Sequence, residues 1–181
     1  TDDEVCYKAL KSLRNHGMQL HGSNWTFERI GYSAKMNELE AAIGLGNLEL
    51  FGKILTLRRR NLLYLIEKFD QFKDYLVTLK ELKTEFIAPH ALPIILKSST
   101  PFTKEQFTTY LSNAGIDNRN LMYSIPTQCP AYAYLGNKLG DFPNAEWLSA
   151  QGTHIGCHQD LTIEQLDYVI ETIKKFLSEN V

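Results

Sequence analysis

The chain has 181 residues, enough for one domain or for a small domain with an appendage. It is 44% hydrophobic and 22% charged with a net charge of −2, so no basic excess points to nucleic acid. No apolar run approaches the roughly 18 residues that a membrane-spanning helix needs.

The chain opens on Thr1-Asp2-Asp3-Glu4, which reads as a capping box with Thr1 as the cap. Val5, Ala9, Leu10 and Leu13 follow at helical spacing, and His16-Gly17 ends the helix. This start is acidic and lacks the apolar stretch of a signal peptide. It also does not begin with Met, which suggests an excised piece or missing residues. Residues 18–32 show no period and read as an ordered loop containing Trp25 and Phe27.

Two helices are expected next, over residues 35–49 and 50–72, forming a long helical arm. Ile54, Leu57, Leu62, Leu65, Ile66 and Phe69 make a broad apolar face on the second. The first holds Ala41, Ala42, Gly44 and Gly46. Each Gly costs about 1 kcal/mol of helix stability against Ala, so these small residues point to a close neighbour. Arg58-Arg59-Arg60 falls on the helical pattern and reads as a solvated face.

Beyond residue 72 the pattern changes to α+β. Residues 75–80 and 92–97 read as strands, and Thr103 starts a helix to Ala114 with Gly115 past its end. "GIDNRNLMY" leads into a strand or extended loop, and a short helix over residues 144–151 stops at Gly152. Thr162 and Gln165 form a capping box, and Leu166, Val169, Ile170, Ile173 and Phe176 form the stripe of a last helix. The expected division is therefore residues 1–72, a helical arm, and residues 73–181, a small domain with a short antiparallel sheet.

Cys6, Cys129 and Cys157 are widely spaced and odd in number, which fits a reducing cytoplasm better than a disulfide framework. His154, Cys157 and His158 could suggest zinc, but no fourth ligand is apparent, and positioning of the last helix is the preferred reading.

In order, "LRNHG", "GYSAKMNELEAAIGLGNLE", "RRRN", "GIDNR" and "DFPNAEWLSAQGTHIGCHQDLTIEQLDYVIETI" resemble the DegT/DnrJ/EryC1/StrS aminotransferases. That resemblance implies the second half of an α/β, fold-type-I enzyme. It implies pyridoxal phosphate as cofactor, a nucleotide-linked keto sugar as substrate, glutamate as amino donor, and a homodimer with a shared active site. The Schiff-base lysine would lie upstream, leaving no catalytic residue in this chain. A sugar 3-dehydrase of the same family, or a non-catalytic sugar-nucleotide-binding module, are the alternatives.

By resemblance, Ser33 and Lys35 fall where relatives reach the cofactor phosphate. The sequence itself places a hydroxyl and an ammonium at an expected helix start, where anions are stabilised. His16 falls in a segment that leads to the active-site rim in relatives, to act on substrate or to be held by backbone carbonyls at the helix end. Arg119 matches a substrate-facing position, where a guanidinium suits carboxylate or phosphate or forms a structural salt bridge. Thr127 and Gln128 flank Pro126, which stands where many relatives carry a substrate histidine.

Overall fold

The computed structural model describes residues Thr1 to Val181, which divide into two compact units, Thr1–Leu50 and Phe51–Val181. The helices are α1 (Glu4–Arg14), α2 (Glu38–Phe69), α3 (Lys104–Asn113), α4 (Pro143–Gln151) and α5 (Ile163–Asn180). The strands are β1 (Met18–His21), β2 (Asn24–Phe27), β3 (Leu76–Val77), β4 (Ala91–Leu96), β5 (Asn118–Asn120) and β6 (Gly152–Gly156). No helix is long and apolar enough to cross a membrane.

In the first unit, Asp3 rather than Thr1 caps α1, accepting the Cys6 N–H at 2.8 Å. The region read as a loop is instead an antiparallel hairpin, with Met18 opposite Phe27 and His21 opposite Asn24. Its two-residue turn is Gly22-Ser23, with Gly22 at φ 62°, the positive value that a tight hairpin needs at its first turn residue. This unit buries only Ser12 and Gly17. Trp25, Phe27, Ile30, Met36, Leu39, Ile43, Leu45 and Leu48 are all exposed, so residues 1–50 have no apolar core of their own.

The two helices expected over residues 35–72 are one, α2, followed by a 3-10 turn at Asp70–Phe72. It starts at Glu38, three residues later than expected. Asn37 Oδ1 accepts the Glu40 N–H at 2.9 Å, and Glu40 Oε2 accepts the Asn37 N–H at 3.0 Å. That reciprocal pair satisfies the donors at the start of α2. A Cβ added at Gly44 or Gly46 would meet nothing within 4 Å, so no part of this chain presses on the small-residue stretch.

In the second unit, an antiparallel sheet in the order β3-β4-β6-β5 carries the core. Alternating β4 residues Leu92, Ile94 and Leu96 are fully buried, as period-two side-chain placement requires. They join Leu62, Leu65 and Phe69 of α2, Phe107 and Leu111 of α3, and Leu166, Ile170, Ile173 and Phe176 of α5. Phe102, Phe107 and Tyr110 surround Phe176, with centroids at 4.9, 5.4 and 5.1 Å. The expected Thr162–Gln165 capping box is present in both directions, and Thr103–Gln106 forms another.

The segment leading into α5 is tied to α2 by polar side chains. Arg58 Nε donates to Gln159 Oε1 at 2.9 Å, Asn61 Nδ2 to the His158 carbonyl at 2.5 Å, and Arg60 to the Leu161 carbonyl at 3.2 Å. The basic triplet is therefore divided among tasks, not a plain solvated face. Arg59 makes a bidentate pair with Glu81 and lies 4.2 Å from the Phe86 ring.

Candidate functional site

In the first unit, the backbone beyond α1 places the expected site residues. His16 and Gly17 take positive φ values of 61° and 77°, turning the chain sharply. A Cβ at Gly17 would lie 1.7 Å from the Arg29 carbonyl oxygen, and one at Gly31 would lie 2.1 Å from the Gly17 nitrogen. Two glycines are thus needed for the backbones to cross. Residues 31–35 are then fastened to the end of α1. His16 N donates to Tyr32 O at 2.9 Å, Tyr32 N to Leu13 O at 2.7 Å, and Ala34 N to Arg14 O at 3.0 Å.

This arrangement brings Lys35 to the face of α1 that carries Lys8, Lys11 and Arg14. The four line a cleft of about 650 Å³ together with Ser12, Tyr7 and Trp25, and no carboxylate lines it. Ser12 is 3% exposed and its Oγ has no hydrogen-bond partner. A buried hydroxyl left unpaired costs about 1–3 kcal/mol, and an anionic oxygen in the cleft would relieve that cost.

No helix begins at Lys35 to supply the anion-stabilising end expected there. Asn37 and Glu40 already cap α2, and Glu38 and Glu40 make its first turn acidic. Positive character comes from side chains on α1 and Lys35. Ser33 is exposed and forms an isolated antiparallel bridge with Asn15. The contribution of α1 was missed, although Lys8, Lys11 and Arg14 are three apart and share a helical face.

The remaining candidates belong to the second unit. Arg119 on β5 stands opposite His154 on β6, and its guanidinium reaches Asp117 at 3.7 Å. They line a recess of about 210 Å³ with Arg58, His90 and His158. Burial lowers the pKa of His154 first, and neighbouring His90 and Arg119 lower it further. Burial also raises the Cys157 thiol, which makes it a poor nucleophile. No three His, Cys, Asp or Glu side chains are grouped to hold a metal ion.

Thr127 and Gln128 lie on the 3-10 turn Pro126–Gln128 and do not line that recess. The Gln128 amide donates to Lys138 O and Glu146 Oε1, both at 2.7 Å. Glu146 Oε1 also accepts the Gly140 N–H, and these bonds hold its carboxyl below the usual range. Gln128 therefore braces its loop, leaving its carbonyl oxygen as the group open to a ligand.

Comparison with known proteins gives this geometry its context. The chain is 27% identical to GDP-perosamine synthase of Escherichia coli O157:H7 over 183 residues, covering 99% of this chain and 46% of that protein. It is 24% identical to GDP-4-keto-6-deoxy-D-mannose 3-dehydratase of Escherichia coli O55:H7 over 192 residues, covering 96% and 49%. Helicobacter pylori PseC, an aminotransferase involved in the biosynthesis of pseudoaminic acid, has the same fold across 99% of this chain and 48% of its own. That match has a TM-score of 0.84 at 22% identity. The chain spans about half the length of the curated relatives it matches. Its helices and antiparallel sheet thus reproduce part of the α/β, fold-type-I architecture of sugar aminotransferases. The family model matches residues 1–174, and the chain belongs to the DegT/DnrJ/EryC1/StrS aminotransferase family.

Proposed function

We propose that the chain is the C-terminal part of a pyridoxal-phosphate-dependent aminotransferase acting on a nucleotide-linked keto sugar. Glutamate is its amino donor, and its setting is surface-polysaccharide biosynthesis in the cytoplasm. The family match over residues 1–174 carries this reading. The cationic cleft with the unpartnered Ser12 hydroxyl fits the phosphate end of the cofactor.

When bound, pyridoxal phosphate supplies the electron sink for moving an amino group. This chain contributes binding and orientation. Lys35, Lys8, Lys11 and Arg14 would hold the phosphate in their positive field, and the Ser12 hydroxyl would be available to donate to it. Ser33, bridged to the cleft residue Asn15, would offer a further hydroxyl. His16, exposed at the positive-φ turn, reaches a substrate hydroxyl. Arg119 meets the anionic part of the substrate, while Thr127 and the Gln128 carbonyl oxygen meet sugar hydroxyls.

The exposed apolar side chains of residues 1–50 support a homodimer with a shared active site, since a surface patch of this kind marks an interface. The expected break after residue 72 falls inside the second unit, whose core takes Leu62, Leu65 and Phe69; in this reading residues 1–50 complete the large domain and its interface arm, and residues 51–181 form the small domain.

A second reading, a sugar 3-dehydratase, is favoured by the 24% identity to that enzyme over 96% of this chain. The test incubates the complete polypeptide containing residues 1–181 with amino-labelled glutamate and nucleotide-linked keto sugars. Mass spectrometry finds the label on the sugar if the aminotransferase reading holds. A sugar lighter by one oxygen, with the labelled nitrogen released as ammonia, selects the dehydratase. Sugars of unchanged mass overturn both.

A further inference from the structure

We infer that the recess between β5, β6 and α2 binds a phosphate group, through Arg58, His90, Arg119, His154 and His158. The inference takes from the proposed function only that Arg119 faces an anion, and it does not depend on amino transfer.

The first observation is charge. Two guanidiniums and three imidazoles line one recess against one lining carboxylate, Asp117, with Asp160 lying 3.5 Å from the exposed His158 ring. Asp117 approaches Arg119 no closer than 3.7 Å, and both side chains are largely exposed, so the pair neutralises the guanidinium only weakly. Arg58 gives its Nε–H to Gln159, leaving its terminal amino groups free of that bond.

Origin in the fold is the second observation. Arg58 comes from α2, His90 from the residue before β4, Arg119 from β5, His154 from β6, and His158 from the turn after it. The lining donors come from five segments and not from one flat fork. That distribution matches tetrahedral phosphate oxygens better than a planar carboxylate, which one arginine satisfies. The recess, about 210 Å³, suits a phosphate or diphosphate more than a complete sugar nucleotide.

The groups around His154 define the pH behaviour. His90 lies before β4, with its ring centroid 6.2 Å away, Arg119 and the Asn120 backbone come from β5, and Asp117 directly precedes that strand. Arg58 and His158 complete the lining. Burial and like charge keep the His154 proton off until the pH falls below the ordinary histidine value of 6.5. An anion in the recess favours the protonated ring, so binding tightens as the pH falls through that region.

The test is NMR of the five histidine rings of the chain during titration with inorganic sulfate, inorganic phosphate, a nucleoside diphosphate and glutamate. Sulfate keeps a constant charge, so it reads the pH dependence. Saturable shifts of His90 and His154 are expected, with tighter sulfate binding at about pH 5.5 than at about pH 8. Arg119→Gln should weaken binding by about fivefold, and Arg119→Lys should restore part of it. Tighter binding of the nucleoside diphosphate than of phosphate assigns the recess to a nucleotide ligand. Equal binding assigns it to free phosphate, and both support the inference. Preference for glutamate, the absence of saturation, or equal sulfate binding by wild type, Arg58→Gln and Arg119→Gln overturns it. So does sulfate affinity independent of pH.

Discussion

Replacing Asn61 by Leu tests the join between α2 and the segment that enters α5. Asn61 is fully buried, with its Nδ2 donating to the His158 carbonyl and its Oδ1 accepting from Arg60 Nε and Nη2 at 3.0 and 2.8 Å. Leucine has the same branched outline but is larger, so no cavity forms and any overpacking adds to the loss. The loss is a hydrogen bond whose remaining partner, the partly buried His158 carbonyl, stays unpaired. That costs about 1–3 kcal/mol. Arg60 is exposed and regains water, so its two lost bonds add less. Urea unfolding followed by far-UV circular dichroism should therefore show Asn61→Leu destabilised by about 1–3 kcal/mol. Asn61→Asp keeps the acceptor for Arg60 but loses the donor and sets a carboxylate against the His158 carbonyl. It should be at least as unstable as the leucine variant. A leucine variant matching wild type, or an aspartate variant as stable as wild type, refutes the reasoning.

In residues 1–50, Gly17→Ala places a Cβ against the Arg29 carbonyl at a positive φ, so Trp25 fluorescence and amide protection there should change while residues 51–181 stay folded. The Arg59 guanidinium, aided by the Ile87 N–H, holds the Glu81 carboxyl at about 2, below its ordinary 4.5. Because the folded value is depressed, this stabilisation is complete above pH 4.5 and is lost as the pH falls toward 2; Glu81→Gln should flatten that part of the acid unfolding curve. The exposed apolar side chains of the first unit predict self-association or dye binding in light-scattering and dye-titration series. A strictly monomeric chain that binds no dye contradicts this. Reduction with borohydride in the presence of pyridoxal phosphate should leave no single lysine of residues 1–181 stoichiometrically labelled, and one such lysine would refute the upstream placement of the reactive lysine.

The second unit was legible where signals were local. Thr162 and Gln165 show α5 its start, Gly115 ends α3, and the spacing of Leu166, Ile170, Ile173 and Phe176 gives the buried face. The first unit was less legible because its backbone is set by crossings. Gly17 and Gly31 look like ordinary loop residues until the Arg29 carbonyl is seen against Gly17. The start of α2 lies later than expected because Ser33 and Asn37 are both residue types that cap helices, and only Asn37 has a glutamate three residues on to complete the box. Around the sites, Lys8 and Lys11 had a readable helical period. His90 had none, since only the pairing of β4 with β6 brings it near His154.

The cleft lined by α1 and Lys35 is most directly tested by phosphorus NMR titration of pyridoxal phosphate with the wild-type chain, Lys35→Ala and Lys35→Arg. Saturable perturbation of the phosphate signal is expected for wild type. Removing one charge-assisted contact should weaken binding about tenfold in Lys35→Ala, and Lys35→Arg should retain most of it. Equal binding by all three proteins, or no saturation by wild type, would contradict the assignment of this cleft to the cofactor phosphate.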